Sequence, residues 1–359
     1  MSRLPTTEPD APPSTADGAL PAAPHHGRNV AHYLSFKRIG AVYLLVLAIV
    51  LFTVKLGGVF FAGATVKQVV DNYSITAMAA LALVVPLSAG VFDLSFAYTM
   101  SLTGVTTAYL VVHAGMGLGG AIVVAMLVAL VVGLVNAFVV VVLKIDSLIG
   151  TLGTGSLIQA ANTFITGDSP INDDKLTAPG YAHIAQASWA GITIPVVYAI
   201  VLAAVIWHVQ EHTVTGRRLY ATGFNERAAR LAGVPTFRLR FLSLVAGALI
   251  AGFTGIVLGS SVGSGDPASG TPYLLPAFAA VFLGATQFKE GRFNAGGTVL
   301  AVVLLGTGDT GLALAGAATW ASNTFTGIVL IAALAVTGKQ RGTLRGIKRR
   351  LRRTTEPVS

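Results

Sequence analysis

Apolar runs of roughly twenty residues alternate with short polar breaks along most of the chain, and that is the length an α-helix needs to cross a bilayer. The runs fall at about 39–61, 73–91, 96–113, 121–143, 148–165, 192–209, 239–258, 273–287, 295–314 and 319–336. The fifth is less hydrophobic than its neighbours and holds Thr151, Thr154, Gln159 and Asn162. The eighth is short, the pattern of a broken or re-entrant segment. The pattern predicts an all-α polytopic membrane protein with about ten transmembrane helices.

One long polar stretch interrupts the C-terminal two-thirds, residues 215–235, TGRRLYATGFNERAARLAGVP. It carries Arg217, Arg218, Arg227 and Arg230, with Arg238 and Arg240 just beyond. An Arg at the centre of a membrane helix costs about 2.5–3.5 kcal/mol on insertion scales, so this stretch belongs in water. Its residue order predicts a short helix. Asn225 is placed to cap it, Glu226 lies in the first turn where the helix dipole favours an anion, and Gly233 and Pro235 end it. About two turns are unstable alone in water, so the helix calls for a partner surface. Arg227 and Arg230 share one face at i,i+3.

Charge fixes the expected orientation. With ten spans and both termini inside, only Lys55, Lys67 and Lys175 of the 24 Lys and Arg fall outside, as the positive-inside rule requires. Charged residues make up 11% of the 359, far below the roughly 25% of a soluble domain. Forty-one glycines and few aromatics suit membrane helices packed through small residues. The net charge of +9 follows the membrane topology and does not point to nucleic acid. Residues 1–35, mostly rich in Pro, Ala, Ser and Thr, read as a disordered cytoplasmic tail. Residues 338–359 read as a basic cytoplasmic tail attracted to anionic membrane lipid. The absence of cysteine excludes disulfides and thiolate metal sites.

Candidate chemistry is sparse. No GxxxxGK[ST] occurs, so the chain has no P-loop, no ATPase motif of its own and no expected cofactor. His208, Glu211 and His212 form an HxxEH pattern known from zinc proteases. They sit where a span meets the basic loop, a normal place for interfacial His and Glu, and no further ligands accompany them; no metal is expected. Asp93 lies between two apolar runs. It is a candidate for a substrate or ion pathway, or simply a cap on the third helix at a cytoplasmic turn. Asp309 falls inside the ninth run, where a carboxylate exposed to lipid is costly. Ser95, Thr151, Asn162 and Asn323 complete the pathway candidates, with Ser322 beside them, although single polar residues in membrane helices often only bond across to neighbours.

Three stretches resemble the ribose/xylose-type ABC sugar transporter permeases. The most specific is GRRLYATGFNERAARLAGV, similar to that family's cytoplasmic coupling loop in Gly216, Arg217, Tyr220, Ala221, Gly223, Asn225, Ala228, Ala229 and Gly233. Around Asp93 the family pattern is GGIDLSVG; Gly90, Asp93, Leu94 and Ser95 match it, whereas Ala89, Phe92, Phe96 and Ala97 depart. Residues 276–286 resemble an apolar run ending in GGTS, with Ala285 replacing a glycine. The resemblance covers about 72–335.

It implies a permease domain over 36–337 with a coupling loop at 213–238. There Gly216, Arg217, Tyr220, Gly223, Asn225, Glu226, Arg227, Ala228, Ala229, Arg230 and Gly233 would engage a separate ATP-hydrolysing subunit. It further implies two cytoplasmic ATP-binding subunits, a second permease subunit in a homodimer, and an extracytoplasmic binding protein delivering a monosaccharide or related polyol. The acidic external segment 167–188 is then the expected contact for that binding protein. Spans two to five and seven to ten are candidates for inverted repeats, since one group starts outside and the other inside. The competing expectation is a stand-alone secondary transporter driven by H⁺ or Na⁺, with Asp93 and Asp309 as ion sites.

Overall fold

The computed structural model describes residues 36–353 apart from 61, 190, 289 and 290, with side chains described from residue 40 to 336. The expected N-terminal tail, 1–35, lies outside the described residues. Of the expected C-terminal tail, backbone is described only to Arg353, and it continues the last helix.

Each of the ten apolar runs is helical. The helices are α1 (Phe36–Leu56), α2 (Gly63–Ser88), α3 (Phe96–Val112), α4 (Leu118–Ala137), α5 (Ser147–Thr166), α6 (Ile194–His212), α7 (Val214–Phe224), α8 (Glu226–Leu231), α9 (Thr236–Val262), α10 (Leu274–Ala285), α11 (Ala295–Leu314) and α12 (Thr319–Arg353). Helix α4 continues as a wider π turn through Phe138–Val142. Seven helices are long and apolar enough to cross a membrane: α1, α2, α4 with its π turn, α6, α9, α11 and α12 as far as Val336. Helices α3 and α10 are apolar but shorter, and α5 has the length without the apolarity. The protein is therefore an all-α polytopic membrane protein. Among the described residues the only strands are β1 (Ser188–Trp189) and β2 (Ile192–Thr193), an antiparallel hairpin at the end opposite α7 and α8.

Local chemistry sets the ends. Asp146 accepts from the backbone N–H groups of Leu148 and Ile149 to start α5, and Asn294 accepts from Gly297 to start α11. Helix α2 stops three residues short of the predicted end. Pro86 occupies its last turn and Gly90, at φ +76°, turns the chain away.

Helices α2 and α9 form the centre, and the rest packs around them in matched pairs. Helix α9 packs on α3 and α4 as α2 packs on α10 and α11. Helix α3 meets α4 and α5 as α10 meets α11 and α12. This is the arrangement of an inverted repeat of α2–α5 and α9–α12. Small residues permit the closest crossings: a methyl on Gly255 of α9 would collide with the Met100 carbonyl of α3, and Thr103 Oγ1 donates to Gly252 O at 2.9 Å across the same seam.

In each repeat the chain enters the short helix through a non-helical segment. After α9, Gly265 pairs with Ile171 and lies against Val105 and Ala108 of α3. Five residues later Gly270 lies on Ala97, its N–H bonded to Ser101 Oγ at 2.9 Å. The chain thus descends about 12 Å along α3, at 1.5 Å per residue, before α10 begins. Both α3 and α10 therefore start deep inside the bundle. The eighth run is thus a broken span, extended and then helical, one of the two forms expected of it.

Candidate functional site

The polar interruption folds as two helices at one end of the bundle. Thr213 caps α7 by accepting from Gly216 N at 3.1 Å. Gly216 lies directly on the Val209 and Gln210 backbone, leaving no room for a side chain. Gly223 packs in the same way against Ser88 O and Gly90 N, tying the end of α7 to the entry segment of α3. Tyr220 donates to Phe293 O at 3.0 Å, and the Arg292 guanidinium lies over its ring at 5.6 Å. Burial pushes the Tyr220 phenol up from its ordinary value; Glu211's charge adds to this and Arg292 opposes it. The hydroxyl therefore keeps its proton near neutral pH.

Asn225 Oδ1 caps α8 by accepting from Ala228 N at 3.0 Å, and Gly233, at φ +79°, follows its end. Glu226 bonds Arg230 at 2.5 Å and Arg240 of α9 at 2.8 Å, so it clamps α8 to the start of a central helix. Ala229 faces inward, whereas Arg217, Ala228 and Arg227 are exposed, and Arg227 has no ion pair among the described residues. Phe224 and Leu231, 73% and 86% exposed, flank α8 and leave apolar surface facing away from the bundle. The residues sit as a short capped helix displayed on a rigid mount, with a cationic and apolar outer face.

The pathway candidates separate into groups. Asp93 is 1% exposed, not at an open turn: the segment 91–94 is enclosed along α5. Its Oδ1 accepts from Ser95 N at 2.9 Å and Ser95 Oγ at 2.7 Å, so it does cap the start of α3, but from inside the bundle. Thr151 Oγ1 accepts from Leu94 N at 2.9 Å. Asn136 of α4 donates to Ser95 Oγ at 2.6 Å and accepts from Thr154 Oγ1 at 2.5 Å, closing a buried chain across three helices. Asn162 lies further along α5; its Nδ2 reaches Tyr98 O at 3.4 Å and its Oδ1 has no partner among the described residues.

Asp309 is elsewhere, on α11, where it accepts from the Tyr73 hydroxyl of α2. The glycines around it seat rings from three helices: Tyr73 on Gly306, Phe325 of α12 on Gly308 and Phe52 of α1 on Gly311. Asn323 is exposed on α12 and joins none of these groups. The His208 and His212 rings lie 5.4 Å apart, and the described residues contain no group of three or more His, Cys, Asp or Glu able to hold a metal. Two partners of these candidates, in separate groups, escaped the sequence reading. Asn136 had a signal, being the lone polar residue in its run; Tyr73 had none, because its partner is 236 residues away.

A polytopic bundle around paired short helices, with a docking-shaped interruption at one end, defines a transport permease. Comparison with known proteins places it further. The family model for the branched-chain amino acid transport system / permease component matches residues 65–334. An L-arabinose transport system permease protein of Escherichia coli is 32% identical over 263 residues, 73% of this chain and 78% of that one. A ribose import permease protein of Escherichia coli is 28% identical over 291 residues, 78% and 88% of the two chains. An autoinducer 2 import system permease protein of Photorhabdus laumondii is 27% identical over 272 residues, 75% and 81%. No solved structure matches. The chain belongs to this permease family, within its ribose/xylose-type sugar branch, and is a multi-pass protein of the inner (plasma) membrane.

Proposed function

We propose that the chain is the permease subunit of a binding-protein-dependent ABC importer, moving a monosaccharide or related polyol inward on ATP hydrolysed by separate cytoplasmic subunits. All ten apolar helices cross the membrane in this reading, with α7 and α8 in the cytoplasm. The carrying observation is α8: six residues, capped by Asn225, clamped to α9 through Glu226 and Arg240, and presenting Phe224, Arg227 and Leu231 outward. A helix so short needs a partner surface, and its outer face offers apolar anchors and a free cation to a cytoplasmic ATP-binding subunit. The relatives' names, which speak of arabinose, ribose and autoinducer 2, support a small polyhydroxylated substrate. A second copy of the permease and an extracytoplasmic binding protein complete the assembly, the latter meeting the hairpin end near 167–193.

Reversing Arg227→Glu with Arg230→Glu tests this. The double variant is expected to insert normally yet uncouple ATP hydrolysis from uptake; full uptake would remove the coupling assignment. Asp93 and Asp309, both at membrane depth, are the observation behind an ion-coupled alternative. Each already has an internal partner, which weighs against that alternative.

A further inference from the structure

The carbonyl of Phe293, in the loop between α10 and α11, is held by three elements at once. Tyr220 of α7 donates to it at 3.0 Å, the shortest of the three, and Gln210 Nε2 of α6 and Ser88 Oγ of α2 each at 3.3 Å. Gln210 is 3% exposed and fully used. Its Nε2 also reaches Ser88 Oγ at the end of α2, at 2.9 Å, and its Oε1 accepts from Ala295 N at the start of α11, at 3.2 Å. The backbone of this loop is thus pinned to α7, α6 and α2 together.

The Phe293 ring points the other way, into a run of buried aromatics. It meets Phe282 of α10 edge-on at 5.4 Å. Phe282 stacks on Phe278 at 6.2 Å and on Phe92, in the segment that carries Asp93, at 6.3 Å. Phe278 meets the edge of Phe96, the first residue of α3, at 6.0 Å. From the α7 hydroxyl to the deep starts of both short helices there is one continuous packed path. Close-packed interiors pass displacements rather than absorb them.

We infer that Phe293 is the relay between the α7–α8 unit and the paired short helices α3 and α10, with the Tyr220 hydroxyl as the positioning group that makes α7 move with it. The inference rests on α7–α8 being the contact for the ATP-binding subunits. Its physical content is a two-position element at Phe293, biased from one side by Tyr220 and read from the other by Phe282.

The chain has no cysteine, so spin labels attach to it only where one is introduced; each pair is placed in one permease copy of the assembly in lipid nanodiscs, with the partner subunits made cysteine-free. One pair, Ala232→Cys at the C-cap of α8 with Val142→Cys, reports α8 against the end of α4. A second, Leu275→Cys with Val123→Cys, reports α10 against the same helix; all four sites are exposed. With the native Tyr220, adding ATP and vanadate is expected to shift both distances. With Tyr220→Phe the α8 pair still shifts and the α10 pair loses at least half its shift. Phe293→Leu, which keeps the carbonyl and removes the ring, does the same, and the two substitutions together do no more than either alone. An undiminished α10 shift in Tyr220→Phe, or additive losses in the double variant, would overturn the relay while leaving the coupling contact standing. No nucleotide-dependent shift in either pair with native Tyr220 would sink the coupling reading and the relay together.

Discussion

The two repeats, α2–α5 and α9–α12, share a packing plan and differ in what fastens it. In the first, side chains hold the entry to the short helix: Ser147 accepts from Phe92 N, Thr151 from Leu94 N, and Asp93 caps Ser95. Asn136 and Thr154 then lock that start to α4 and α5. In the second, backbone pairing of Ile171 with Gly265, an Asp266 side chain that accepts from Ala268 N at 2.8 Å and a serine bond at Gly270 hold the entry, but among the described residues no side-chain network ties it to the flanking helices, and the start of α10 rests mainly on aromatic contacts. The second repeat's half-buried carboxylate, Asp309, is bonded to Tyr73 of the first repeat. Directional hydrogen bonds hold the first entry to one geometry, whereas α10 is held there mainly by ring packing. Under the relay inference the first repeat is the more rigid half, and α10 with its loop is the part whose displacement is read.

That contrast can be broken in graded steps. The largest effect is expected where the repeats interlock: Gly255→Leu should drive α3 from α9 and abolish the folded, monodisperse protein in detergent, read by size-exclusion chromatography. Asn136→Leu comes next. It removes a donor from Ser95 and an acceptor from Thr154, leaving each only its bond to Asp93 or to the Thr151 carbonyl, and should lower stability by about 1–3 kcal/mol, visible as a fall in melting temperature in detergent. Tyr73→Phe, which frees Asp309 of its partner, should cost about 0.6–1.7 kcal/mol by the range seen for hydrogen bonds between membrane helices. A Tyr73→Phe loss exceeding that of Asn136→Leu would reverse the assignment of the rigid half. The smallest stability change is expected for Glu226→Gln, since its ion pairs are partly exposed, about 0.5 kcal/mol or less. The same substitution should nonetheless weaken binding of the ATP-binding subunit, because α8 loses its tie to α9.

Much of this was legible because membrane helices announce themselves by length and apolarity, and because Asn225, Glu226 and Gly233 obey local capping rules. What failed was non-local. Asp93 showed as a cap, but nothing near it in sequence told that α5 would enclose it, since its enclosure depends on Thr151 and Ser147 more than fifty residues on. Asp309 was recognisable as a carboxylate needing a partner, yet Tyr73 could be named only from the fold. In the stretch from His208 to His212 the zinc-like pattern drew attention to three residues, while the one that ties α6 to α2 and α11 was Gln210, one of the two positions that pattern leaves free. The broken start of α10 was expected from its short run; that of α3 was not, because its run reads as one continuous span.

The central claim is that this permease works through an ATP-hydrolysing partner held at α7–α8. Affinity purification of the full chain from its native membrane in mild detergent, with mass spectrometry and an ATPase assay on the eluate, tests it directly. The account predicts a co-purifying ATP-binding subunit and ATP hydrolysis, with that hydrolysis no longer driving uptake in the Arg227→Glu, Arg230→Glu variant. A chain that purifies alone and carries labelled ribose or L-arabinose into proteoliposomes without ATP would contradict it.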